Sequence, residues 1–135
     1  LGTLTAASLA LTACGIFDRH SVSTEEGWST WSAEAVQSAS SAGRPVFIDF
    51  TAAWCITCQA NKLAVLDREE VVSRMSALGY VRFLADWTNK DPAITKELAK
   101  YGRTGVPLYV LIYKDGTVKV LPELLTTGTV LDALK

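Results

Sequence analysis

Val46-Phe47-Ile48-Asp49-Phe50-Thr51-Ala52-Ala53-Trp54-Cys55-Ile56-Thr57-Cys58-Gln59 is the stretch whose reading decides the fold. It opens as a short run of apolar, aromatic and β-branched residues, the composition of a buried strand. It closes in Cys-x-x-Cys, and Gln59 to Leu66, rich in Ala, Leu, Lys and Gln, favours helix. The cysteines therefore fall at a strand-to-helix junction. Unpaired backbone N–H groups and the macrodipole stabilise a thiolate there. Cys55 is expected at the exposed tip, with Cys58 one turn further in on roughly the same face. In that arrangement one sulfur attacks a partner's disulfide and the other attacks the first.

Two plainer readings compete with redox chemistry. A structural zinc site needs two further ligands, for which Cys14 and His20 far upstream are the candidates. Two unrelated core cysteines have no need of a helix start. Asp49 adds weight to the redox reading, because an ionised carboxylate in an apolar strand is costly without a partner or a task. Either it faces solvent at a frayed strand end, or it lies buried beneath the cysteines and takes the proton of Cys58.

The chain has 135 residues, room for one compact domain. Hydrophobic residues make up 49% of it, which excludes a disordered chain. A formal net charge of −1 leaves no basic footprint, so nucleic acid is not an expected partner. Three cysteines do not make a disulfide framework.

Leu1 to Phe17 is almost uncharged and apolar, yet shorter than the roughly 20 residues a bilayer span takes. Two readings stay open. It is the clipped end of a transmembrane helix, with Asp18-Arg19-His20 marking the return to water, or it is the end of a lipoprotein signal, with Leu11-Thr12-Ala13 preceding Cys14. An ordinary tail is the remaining alternative. With the polar linker Ser21 to Gly27, this divides the chain into a tether over 1–27 and a domain over 28–135.

Trp28 to Ala42 reads as one helix, with Trp28, Trp31, Ala35, Val36 and Ala39 on an apolar face and Ser29 or Thr30 as cap. A second helix starts near Asp67 to Glu70 and closes at Gly79. Tyr80 to Ala85 is a strand. Asp91 and Pro92 open a further helix as N-cap and first helical residue. Gly105 to Tyr113 is a strand entered through Val106-Pro107, Lys114 to Thr117 turns a hairpin, and Val118 to Leu121 returns. Val130 to Leu134 forms a last short helix. A βαβ unit followed by an antiparallel hairpin makes an α/β domain, a small mixed sheet with helices on both faces.

That order, with Trp-Cys-x-x-Cys after the first core strand and Val-Pro opening the hairpin, resembles the thioredoxin fold. Phe50 to Cys58, Ala85-Asp86-Trp87-Thr88, Gly105-Val106-Pro107-Leu108-Tyr109 and Leu121-Pro122-Glu123-Leu124-Leu125 together resemble the carboxyl-terminal domain of the DsbD thiol:disulfide interchange family. The resemblance spans Trp28 to Leu134. It implies that Cys55 attacks, Cys58 resolves, Asp49 is the buried carboxylate, and the Val106–Pro107 bond is cis. Trp54, Ile56, Thr57, Val106 and Pro107 are then the expected substrate-binding residues. The implied cofactor is none beyond the redox-active Cys55–Cys58 disulfide, and no metal. The implied partners are a membrane-embedded electron donor and a periplasmic disulfide-bearing acceptor. The domain is expected to be monomeric, attached through its amino-terminal segment to the periplasmic face of the bacterial inner membrane.

The family commonly carries an acidic residue four positions after the second cysteine, where this chain has Lys62. On a continuous helix Lys62 shares the face of both cysteines and favours the Cys55 thiolate. Rival readings are a separate membrane-tethered reductase, for instance in cytochrome c maturation, and a non-catalytic binding module of the same fold.

Overall fold

The computed structural model describes residues 26–135 together with Gly2. Expectations for the amino-terminal tether, including Cys14 and His20, lie outside the described residues.

A five-stranded mixed sheet runs in the order β1-β3-β2-β4-β5. Its strands are β1 (Trp28–Thr30), β2 (Val46–Thr51), β3 (Val81–Asp86), β4 (Leu108–Ile112) and β5 (Val118–Val120). β3 is parallel to both β1 and β2, and β4 is antiparallel to β2 and β5. The helices are α1 (Ala33–Ser41), α2 (Ile56–Asn61), α3 (Glu69–Ala77), α4 (Pro92–Lys100) and α5 (Thr127–Ala133). A π-helical turn, Lys62–Leu66, continues α2.

Strand alternation sorts β2 into two cores. Val46, Ile48 and Phe50 pack with Ile94 and Leu98 of α4 and against Ala35, Val36 and Ala39 of α1. Phe47 joins Val65, Leu66, Met75 and Val130 under the π-helical turn, α3 and α5. Asp49 is on the Phe47 side, beneath α2.

The expected helix from Trp28 to Ala42 is two elements. Trp28 to Thr30 pair with Arg82 to Leu84 as an edge strand, and α1 starts only after Ser32, whose hydroxyl accepts from Ala35 N at 3.0 Å. Residues three apart share a helical face but oppose one another on a strand. Trp28 accordingly meets Phe47 in one core and Trp31 meets Phe50 in the other. Helix α4 starts as expected, with Asp91 Oδ1 accepting from Ala93 and Ile94 N at 2.8 and 3.1 Å. The last helix begins earlier than Val130, at Thr127, because Thr126 caps it by accepting from Thr129 N.

Candidate active site

β2 delivers the chain to the site. Past Thr51 the backbone folds tightly, Cys55 N donating to Ala52 O at 3.1 Å, and α2 begins at Ile56. Cys55 is its N-cap: Sγ accepts from Cys58 N at 3.2 Å, and the two sulfurs form a disulfide. Cys55 is 8% exposed and Cys58 2%, so an incoming sulfur meets Cys55 first. The site is more enclosed than a loop tip, because Val106 packs over Ala52 and both cysteines. The Val106–Pro107 peptide bond is cis, as the resemblance implies.

Around the sulfurs the surface is apolar and open: Trp54 is 53% exposed and Ile56 87%, with Thr57 and Val106 half-buried. Trp54 is braced from behind. Its Nε1 donates to Thr88 O at 3.0 Å and its ring lies 5.9 Å from that of Trp87. Thr88 Oγ1 accepts from Ala53 N at 2.9 Å and hydrogen-bonds Asp86. Ala85-Asp86-Trp87-Thr88 is thus the scaffold of the cysteine loop. Sequence reasoning singled the motif out without this task.

Asp49 is 4% exposed. In register it stands beside Leu84 of β3 and Tyr109 of β4. It opens onto a cavity of about 250 Å³ lined also by Thr51, Gln59, Lys62, Leu84 and Asp86. Gln59 Nε2 donates to Ala52 O at 3.1 Å, fixing α2 to the end of β2 over this cavity. Burial, and then the Asp49 charge, push the Tyr109 phenol above its ordinary range, while donation from Asn61 pulls the other way. A roomier cavity of about 450 Å³, between Trp31, Glu34, Asn89, Asp91 and Ile94, opens elsewhere and is not lined by the cysteines.

Asn61 escaped the sequence reading. It is buried, and its Nδ2 donates to Tyr109 OH at 2.8 Å and to Glu123 O at 2.7 Å, while Oδ1 accepts from Leu125 N at 3.1 Å. This clamps the end of α2 to β4 and to the Leu121–Leu125 segment, where Arg103 also pairs with Glu123. An amide three residues past Cys58, on the inward face, was the available signal.

A family model described as thioredoxin-like matches residues 27–114. The chain belongs to the thioredoxin-like family. Its domain is 35% identical over 82 residues to thiol:disulfide interchange protein DsbD 1 of Pseudomonas aeruginosa, covering 61% of this chain and 13% of that protein. The chain thus spans about an eighth of that relative's length. The oxidised DsbD carboxyl-terminal domain of Neisseria meningitidis superposes with a TM-score of 0.61 at 23% identity, covering 76% of this chain and 93% of that one. A thioredoxin from Thermus thermophilus gives 0.63 at 23% identity, covering 79% and 82%. At such identity the solved structures speak for the fold, while the match to DsbD 1 bears out the resemblance read from the sequence.

The thioredoxin-like domain is therefore a relative of DsbD carrying a Cys-x-x-Cys disulfide, consistent with thiol–disulfide oxidoreductase activity. Among the described residues no cluster of His, Cys, Asp or Glu is arranged to hold a metal, and no helix is long and apolar enough to cross a membrane.

Proposed function

We propose that this domain is an electron relay. Its Cys55–Cys58 dithiol, recharged by a membrane-embedded donor, reduces a disulfide-bearing protein or domain on the periplasmic face of the bacterial inner membrane. Residues 28–135 form the working unit and residues 1–27 its tether. The observation that carries this reading is the Cys55–Cys58 disulfide at the start of α2, enclosed by Val106 beside cis-Pro107, with Asp49 buried in the strand that leads to it.

The chemistry follows from the placement. The Cys55 thiolate attacks a partner disulfide; one partner sulfur leaves as a thiolate, and a mixed disulfide forms. Asp49 then takes the Cys58 proton, and the Cys58 thiolate attacks Cys55 Sγ. The Cys55–partner bond breaks and the second partner sulfur leaves as a thiolate. The partner gains two electrons and the domain keeps the disulfide. Trp54, Ile56 and Val106 offer the partner an apolar seat around the reacting sulfurs, with half-buried Thr57 and buried Pro107 beside them.

The test is a thiol count with a trap. Reduced protein mixed with a periplasmic disulfide protein should give two partner thiols for each Cys55–Cys58 disulfide formed. Cys58→Ser should accumulate a mixed disulfide through Cys55, and Cys55→Ser should trap little. Trapping mainly through Cys58, or no thiol transfer at all, would overturn the reading.

A further inference from the structure

Lys62 occupies the residue at which the helix after the cysteines changes character. It follows Cys58 by one α-turn and so shares the inward face of α2. From Lys62 onward the turn widens: Asp67 N donates to Lys62 O, five residues back, at 2.8 Å. The wider turn also brings the Asp67 side chain round, and its Oδ2 lies 3.1 Å from Lys62 Nζ. The lysine is thereby anchored at its outer edge, with 27% of its side chain exposed. On the inner side it lines the cavity onto which Asp49 opens.

The other groups facing Asp49 can be named. Leu84 and Asp86 come from β3, Tyr109 from β4 and Gln59 from α2. Tyr109 is neutral throughout the physiological range, since its phenol is held above the ordinary value. Asp86 Oδ1 is engaged by Thr88 N and the Thr88 hydroxyl. Among the residues lining this cavity, Lys62 brings the positive charge. A cation that shares a half-open cavity with a buried carboxylate favours the carboxylate's ionised form.

The geometry points to Lys62 as the positioning residue of the proton-transfer step: its ammonium group keeps Asp49 ionised and able to accept the Cys58 proton. The inference rests on the reading of Asp49 as that acceptor. During resolution the Cys58 S–H bond breaks and its proton passes to the Asp49 carboxylate. The sulfur electron pair forms the bond to Cys55 Sγ, and the pair of the Cys55–partner bond departs with the partner sulfur. Without the lysine charge the carboxylate holds a proton to higher pH and cannot take another. Asp67 acts one step further out, keeping the lysine in place.

A two-phase thiol assay separates the steps. The reduced protein, full chain, is mixed with 5,5′-dithiobis(2-nitrobenzoate) in stopped flow. The first nitrothiolate leaves on attack by Cys55, the second on resolution by Cys58. In the unsubstituted protein the second phase should rise with pH through a midpoint. Lys62→Met should move that midpoint up by about one pH unit, slowing resolution about tenfold below it, with a smaller effect on the first phase. Lys62→Arg, which keeps the charge and the fold, should restore it. In an Asp49→Asn background, Lys62→Met should shift nothing further. An unmoved midpoint in Lys62→Met would overturn the proposal. An equal shift with and without Asp49 would also overturn it, by placing the lysine's action on the cysteines, yet would leave Asp49 as acceptor. If Asp49→Asn alone left the second phase untouched, the acceptor reading would fall and this inference with it.

Discussion

Asp49 and Tyr109 stand directly opposite one another on β2 and β4, and Asn61 holds the Tyr109 hydroxyl at 2.8 Å from the end of the helix that carries the cysteines. The buried carboxylate, the buried phenol and the active-site helix are therefore one mechanical unit. Disturbance of any of the three reaches the others through a single hydrogen bond or strand register.

Tyr109 has a consequence for alkaline stability. Its hydroxyl is held above the ordinary 10.0, by burial first and by the Asp49 charge second. Below about pH 10 both folded and unfolded chains keep this proton, and the contribution to stability is fully present. Above that pH the unfolded chain releases the proton while the folded chain retains it, so stability falls as pH rises. The slope from one such proton is at most about 1.4 kcal/mol per pH unit. Tyr109→Phe should flatten the alkaline limb by up to that amount, read from urea midpoints at about pH 8 to 11. An unchanged slope would mean that the phenol ionises normally in the folded protein.

Asn61→Ala removes a buried amide with three partners. Leu125 N and the Tyr109 hydroxyl lose a buried partner, and each buried group left unmet costs about 1–3 kcal/mol. A loss of about 3 kcal/mol in urea unfolding is expected, as a lower midpoint at constant slope. Asn61→Asp keeps the acceptor for Leu125 N and loses both donated bonds, so it should also destabilise. A change below about 0.5 kcal/mol in either variant would show that the clamp carries no weight.

Thr88→Ala should loosen the cysteine loop from behind. Ala53 N loses its acceptor, worth about 1 kcal/mol. The Ala53 amide should exchange its hydrogen several-fold faster, while amides in the middle of β2 are unaffected. Thr88→Ser keeps the hydroxyl and should restore protection. Equal exchange in all three proteins would remove Thr88 from the scaffold.

Ile56 is 87% exposed beside Cys55, so its replacement should cost the fold within about 0.5 kcal/mol. Ile56→Lys should nonetheless slow mixed-disulfide formation with a protein disulfide, because a charge is placed in the apolar contact around the sulfur. Reaction with a small disulfide, which needs no such contact, should change much less. Equal slowing of both reactions would place the effect on the thiolate and not on docking.

Much of this molecule was legible in order along the chain. The β-branched run before Cys-x-x-Cys, the Asp-Pro start of α4 and the hairpin after Val106-Pro107 each carry a local cause, in burial pattern, capping or turn chemistry. Trp28 to Thr30 misled for an equally local reason. Trp28 and Trp31, three apart, fit a helix face, and only the neighbouring β3 offers Trp28 to Thr30 the hydrogen bonds that make a strand.

The sequence by itself determined the sulfur chemistry: two cysteines at a strand-to-helix junction, with an aspartate inside the strand that leads to them. Those features depend on residue type and short spacing, which any reader of the chain sees. The tertiary structure decided what surrounds them. Asn61 meets Tyr109 and Leu125 across separations of 48 and 64 residues, Trp54 rests on Thr88, and Lys62 shares a cavity with Asp49. Such pairings are set by sheet register and by the widened turn after Asn61, and no local propensity encodes them, because the partners are brought together only when the sheet has closed.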